Sequence, residues 1–190
     1  MTTPASHRQI AAHLATEWGG ETRVMGQSYH DGSSVNVLVS ADAEDGPLAA
    51  STIGLSDMEL VLDEEPMGFG VELCAALFAD ETPLVALLAD IAHEVRSGGW
   101  AIALGTILPD VIQPYFPGST MQHVLLVHPF FWGEAFGVFD HDAGRAVWLQ
   151  LIPISDAEFR LVEDEGIEAL EDRLEASGAD VFDLLRPSVV

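Results

Sequence analysis

Lysine is absent from this 190-residue chain: its seven basic residues are all arginines, set against 31 acidic ones for a formal net charge of -24. A field of that sign repels nucleic acid and anionic lipid, which excludes a nucleic-acid reader. Cationic proteins remain as electrostatic partners, with solubility as the competing explanation of the charge. Cysteine occurs once, at Cys74, so an intramolecular disulfide framework and a multi-thiolate zinc site are both excluded. The apolar run around it, VELCAALF, points to a small buried thiol and not to a nucleophile. No stretch nears the roughly 18 consecutive apolar residues that a membrane span requires. The opening MTTPASHRQIAAHL lacks the basic and apolar regions of a secretory leader, so the expected location is the cytoplasm.

What is present is an alternation of helical and strand-like patterns. Ser6 and Gln9 have capping-box spacing ahead of a helix whose face carries Ile10, Leu14 and Trp18, with Gly19 and Gly20 as its stop. TRVMGQSY, SVNVLVSA and AASTIGLS then read as consecutive antiparallel strands joined at HDGS and EDGP. An acidic, proline-containing loop at DEEPMG precedes a buried strand, GFGVELCAALF. Thr82 as N-cap and Pro83 as first helical residue open the clearest helix, striped by Leu84, Leu87, Leu88, Ile91 and Val95 and ended by Gly98 and Gly99. A proline-rich connection, GTILPDVIQPYFPGST, leads to the buried strand MQHVLLVHP. EAFGVF and RAVWLQL flank DHDAG with the spacing of a hairpin.

The clearest local signal lies beyond Pro153. Ser155 with Glu158 forms a capping box, and Ile154 with Phe159 occupies the two positions of a hydrophobic staple. Gly166 breaks or bends the helix, after which Ile167, Leu170 and Leu174 form an inner face and Gly178 a stop. Asp156 and Glu158 sit in a first turn, where the helix dipole favours negative charge. Glu168, Glu171, Asp172 and Glu175 make an outer acidic face. Glu171, Asp172 and Glu175 approach a helix C-terminus, where each is unfavourable by roughly 0.3–1 kcal/mol at low salt, and Glu171 with Glu175 is a like-charge pair one turn apart. These four residues are the candidate partner-binding set, weighed against a merely solvated face.

Catalytic patterns are missing. GQSYH lacks the second glycine of a nucleophile elbow, and HEVRS supplies only the first histidine of a zincin helix, which leaves His93 as a boundary residue. His123 and His128 lie five residues apart, which sends them to opposite faces of a straight strand. Asp42, Glu44 and Asp45 lack the ligand spacing of a calcium loop, and MGFGVE carries only part of a dinucleotide fingerprint. The group HPFFWGEAF reads as core, with a pocket wall or a docking patch as alternatives. No catalytic residue, metal or cofactor is assigned. The enzyme alternative rests on His128 or His141 with nearby acids.

Taken in order, STIGLSDMEL, GFGVELCAALF, AIALGTILPD, HVLLVHPFFW, VWLQLIPISDAEFRLVEDEGIEALEDRL and VFDLLRPSVV resemble the suppressor-of-fused domain, in particular its short bacterial members. The likeness covers about Ser51 to Val190; residues 1–50 match only in their order of helix then strands. It implies a single α/β (α+β) domain over 1–190, with a mixed, largely antiparallel central sheet and flanking helices. It also implies a non-enzymatic protein-binding module. Bacterial members look like immunity proteins that neutralise a cognate toxin by binding it, here a toxin expected to be cationic. An adaptor or peptide-binding role without a toxin is the alternative. Animal members are longer and sequester a transcription factor; that activity is not carried over.

Overall fold

The first helix, α1 (Ala5–Trp18), buries Ile10 and Leu14 as their spacing predicts, but it does not begin at Ser6. Pro4 takes the N-cap position without a side-chain cap, and the buried Ser6 hydroxyl donates instead to Asp57 Oδ1 at 3.3 Å. A tertiary partner has displaced the local one. The computed structural model describes residues 3–40, 46–62 and 65–190.

Strands β1 (Thr22–Ser28), β2 (Ser34–Ser40) and β3 (Leu48–Ile53) form the expected antiparallel run. In the first turn Asp31 accepts the Ser33 N–H and Gly32 takes a positive φ of 82°. Of EDGP, Glu44 and Asp45 lie outside the described residues, as does Asp42.

Of the loop expected at DEEPMG, Asp63 and Glu64 lie outside the described residues and Glu65 to Gly68 are strand. Strand β4 (Glu59–Leu62), which sequence reading missed, pairs with β5 (Glu65–Leu77), so Pro66 and Met67 belong to a strand. Proline is tolerated there because this end of β5 is an arm outside the main sheet order. The second half of β5 is buried at the centre of the sheet.

Helix α2 (Glu81–Arg96) starts at Asp80, not Thr82, which puts Pro83 at the third helical position. An N–H at that position has no intrahelical acceptor either, so proline is harmless there. The predicted stripe Leu84, Leu87, Leu88, Ile91 and Val95 is buried. Strands β6 (Ile107–Leu108), β7 (His123–Val127), β8 (Val138–His141) and β9 (Gly144–Ile154) complete the sheet, in the order β1-β2-β3-β5-β9-β7-β6, with β4 on β5 and β8 on β9. Only β5 with β9 is parallel among the described pairs. The sheet is thus mixed and largely antiparallel. DHDAG is the expected hairpin loop between β8 and β9, but Glu134–Gly137 before it is a 3-10 turn and not strand.

Helix α2 covers one sheet face, over Val37, Val39, Leu73, Leu149 and Leu151. The other face is shared by α1, over Leu38, Cys74 and Trp148, and by α3 (Asp156–Glu165) with α4 (Ile167–Ser177), over Leu125, Ile152 and Ile154. The Ser155 capping box forms with both of its reciprocal hydrogen bonds.

Two buried carboxylates tie these layers together. Glu72 of β5 is fully buried and has the STIGLS turn wrapped around it. It accepts hydrogen bonds from the hydroxyls of Thr52 (2.5 Å) and Ser56 (2.7 Å) and from the N–H groups of Gly54 (2.8 Å), Leu55 (3.3 Å) and Ser56 (3.1 Å). Two glycines permit this approach. Gly54 has a φ of 90° with the His7 ring against it, and a Cβ on Gly70 would lie 2.0 Å from the Ser56 carbonyl oxygen.

Glu158, the capping-box acid, is paired with the buried Arg186 at 2.6 and 2.8 Å and also accepts the Val189 N–H, while Arg186 donates to the Pro153 carbonyl. Burial opposes ionisation of Glu158, but the Arg186 fork and the Ser155 and Val189 N–H groups outweigh it and hold this carboxyl below the ordinary glutamate value.

Glu72→Gln sets an amide N–H against a nest of donors and strands several of them; we expect a loss of at least about 3 kcal/mol in urea denaturation with an unchanged m-value. Arg186→Met leaves a buried charge without its partner, and a loss of about 3–5 kcal/mol is expected. Because the folded Glu158 pKa is depressed, this contribution is complete above the unfolded glutamate value and is lost as pH falls through the folded one. Acid titration of stability should therefore be shallower in Arg186→Met than in the wild type.

Candidate interaction surface

Where α4 lies over the β7 end of the sheet, the packing leaves a groove of about 730 Å³. Ile167, Leu170 and Leu174 of α4 form one wall, and Leu125, Val127 and Ile152 of the sheet the floor. Gly105 runs so close beneath α4 that a Cβ on it would meet Ile167 Cδ1 at 2.9 Å. At the mouth stand Leu104 and Phe130, each 54% exposed.

The structure divides the predicted acidic set. All four residues are exposed, but only Glu171 and Glu175 line the groove, while Glu168 and Asp172 lie on the same helix outside it. Since Gly166, with φ of 92°, separates two helices, Glu168 falls in the first turn of α4, where the dipole favours it. Glu175 falls near the C-terminus, where it is unfavourable. Neither Glu171 nor Glu175 forms an ion pair with a described residue.

The core reading of HPFFWGEAF holds for Phe136, which is fully buried, and fails for Phe130 and Phe131, which are exposed; Phe130 stacks on Phe182 at a centroid distance of 6.2 Å and Phe131 meets it edge-on at 4.8 Å. The chain leaves the sheet after β7, and only the 3-10 turn brings it back to the core. The Phe130 N–H is anchored on Oε1 of the buried Gln150.

A second concavity, about 440 Å³, was not anticipated from sequence. It centres on Asp90 of α2, which accepts from Gln27 Nε2 (2.5 Å) and from the hydroxyls of Tyr29 (2.7 Å) and Tyr115 (2.5 Å). His93 is a boundary residue as expected and stacks on Tyr29 at 3.8 Å. Burial, and then Asp90, push both tyrosine hydroxyls well above their ordinary value. The available signal was Asp90 itself, the only acid inside an otherwise apolar helical stretch from Pro83 to Ala92.

The residues examined for catalysis do not converge. His123 is buried and its Nδ1 accepts the Asp110 N–H, whereas His128 is exposed at the groove and His141 accepts the Ala143 N–H within its own hairpin. Burial raises the Cys74 thiol, which donates to the Leu149 carbonyl at 3.6 Å. Among the described residues no three His, Cys, Asp or Glu side chains are placed to hold one metal ion.

The sequence model described as Suppressor of fused protein (SUFU) matches residues 27–187. The chain belongs to the SUFU family. It is similar over the whole of both chains to Immunity protein YqcF of Bacillus subtilis (strain 168), at 29% identity over 194 residues. Its fold matches the crystal structure of a putative SUFU homolog from Neisseria gonorrhoeae FA 1090, with a TM-score of 0.73, 19% identity and 97% of each chain covered. A chain of the Sufu-Fu complex matches with a TM-score of 0.70 at 17% identity, over 99% of this chain and 93% of that one. Drosophila Suppressor of Fused gives 0.68 at 17% identity, over 98% of this chain and 51% of that one. The α/β fold expected from the SUFU likeness is thus confirmed, and within STIGLSDMEL and GFGVELCAALF the pieces T-x-G-L-S and G-x-E-L are the two halves of the Glu72 nest.

Tyr29 and Tyr115 are the only tyrosines of this SUFU-family chain. Tyrosinate absorbance should stay absent as pH passes the ordinary value of 10.0 and rise only with unfolding. Raised folded values mean that the stabilisation is complete below the unfolded pKa and is lost above it, as pH climbs towards the folded one. Asp90→Asn should move both transitions back towards the ordinary value.

Proposed function

We propose that this SUFU-family protein is an immunity protein: a non-catalytic module, acting in the cytoplasm, that neutralises a cognate toxin by binding it. The observation that carries this reading is the end-to-end similarity to Immunity protein YqcF. The net charge of -24 supports a toxin with a basic surface, because complementary fields accelerate encounter while a few apolar anchors supply most of the affinity. Of the acidic face Glu168, Glu171, Asp172 and Glu175, the groove-lining pair Glu171 and Glu175 is the part best placed to meet such a partner.

A second reading, an adaptor that binds a partner segment without any toxin, draws support from the likeness to a chain solved in the Sufu-Fu complex. Co-expression separates the two. The product of the neighbouring gene should arrest growth when expressed alone, be tolerated when this protein is present, and be retained with it on an affinity column. A neighbour that is harmless, or equally lethal with and without this protein, removes the immunity reading and favours the adaptor. Glu171→Arg with Glu175→Arg should leave thermal unfolding unchanged and slow association with a basic partner by about tenfold at low salt, with the difference shrinking as salt screens it.

A further inference from the structure

The α4 groove combines an apolar lining, two carboxylates on one wall that form no ion pair with a described residue, and a floor strand, β7, that is paired on both sides. Strand β7 is hydrogen-bonded to β9 on one side and to β6 on the other, and its outer edge is extended by Gly105 N–H to the Leu126 carbonyl and Leu126 N–H to the Thr106 carbonyl. An incoming extended segment would find no free edge on β7. A segment that satisfies its own backbone, a helix, meets no such obstacle.

The wall from Ile167 to Gly178 spans three turns, about 17 Å at the helical rise, and Glu171 and Glu175 stand one turn apart along it. Their mutual repulsion is relieved by cations brought in with the same spacing. No helix of a second copy of this chain can supply them, because no two of its arginines (positions 8, 23, 96, 145, 160, 173 and 186) are three or four residues apart. Anionic lipid is repelled by the net charge.

We propose that the groove receives an amphipathic helix of the protein partner, of about three turns, with an apolar stripe against Leu104, Val127 and Phe130 and two Arg or Lys residues one turn apart facing Glu171 and Glu175. The inference rests on the protein-binding reading and specifies the partner's chemistry.

The test uses full-length protein and a fluorescein-labelled 14-residue synthetic peptide with Leu on one helical face and two Arg one turn apart, beside a shuffled peptide of identical composition without that face. Anisotropy at low salt should show the amphipathic peptide binding at least tenfold more tightly, with helix forming on binding by circular dichroism. Glu171→Arg with Glu175→Arg should weaken it tenfold or more. Leu104→Glu separates the two contributions: it adds negative charge at an apolar mouth, so it weakens a helix seated in the groove and strengthens or spares mere charge attraction.

Glu17→Arg with Glu21→Arg, the same charge change near β1, should leave binding within about twofold. Equal affinity for the two peptides, or equal loss from the two reversals, overturns the proposal. So does a dimer abolished by the groove reversal, or a fluorescent fatty acid that the peptide fails to displace. Toxin capture retained by the groove variants removes the groove and leaves the protein-binding reading standing. No capture by wild type removes that reading, whatever the peptide does.

Discussion

A carboxylate with no counterion among the described residues organises this protein. Glu72 sits at the centre of the sheet, where a charge is costly unless its oxygens are met, and it is met by five donors from one turn. That requirement fixes the path of STIGLS, demands glycine at positions 54 and 70, and brings Asp57 to where Ser6 and His7 of α1 bind it. Glu158 does the same at the other end with an arginine, clasping the last residues of the chain to the start of α3. The family segments are thus the parts of the sequence that solvate buried charge.

The remaining acids lie outside this scheme and give the surface its character. Some have local employment: Asp156 and Glu168 occupy first turns, Asp140 holds Arg145, and Asp90 gathers two tyrosines and a glutamine. Glu171 and Glu175 have none, and they border the groove where apolar side chains are left uncovered. Adjacent unpaired charge and exposed apolar area are what a binding site needs to be both fast and tight.

Much of the fold could be read directly from local pattern. The stripe of α2, the hairpin at DHDAG and the capping box at Ser155 all rest on interactions within a few residues of one another, and each is present. The failures share a cause in distant contacts. Ser6 and Thr82 have good capping chemistry, but Ser6 is engaged by Asp57 and α2 begins before Thr82. Pro66 looked like a loop residue because an edge position is invisible in sequence. Glu72 was missed as well, although it is the one charge in VELCAALF and a buried run tolerates an acid only when something encloses it. The groove left a weaker trace: the acids were visible, but which of them border apolar surface depends on how α4 lies over the sheet.

Among the described residues, the parallel pairing of β5 with β9 is the only strand pairing between two otherwise self-contained antiparallel sets, β1 to β5 and β6 to β9. It joins Gly70 to Ala146 and Glu72 to Trp148, residues about 76 positions apart in the chain, so it bears a far greater loop-closure entropy than any hairpin beside it. The sheet is therefore two meanders joined at one seam, with the Glu72 nest on one flank and, through Gln150, the Phe130 end of the groove on the other.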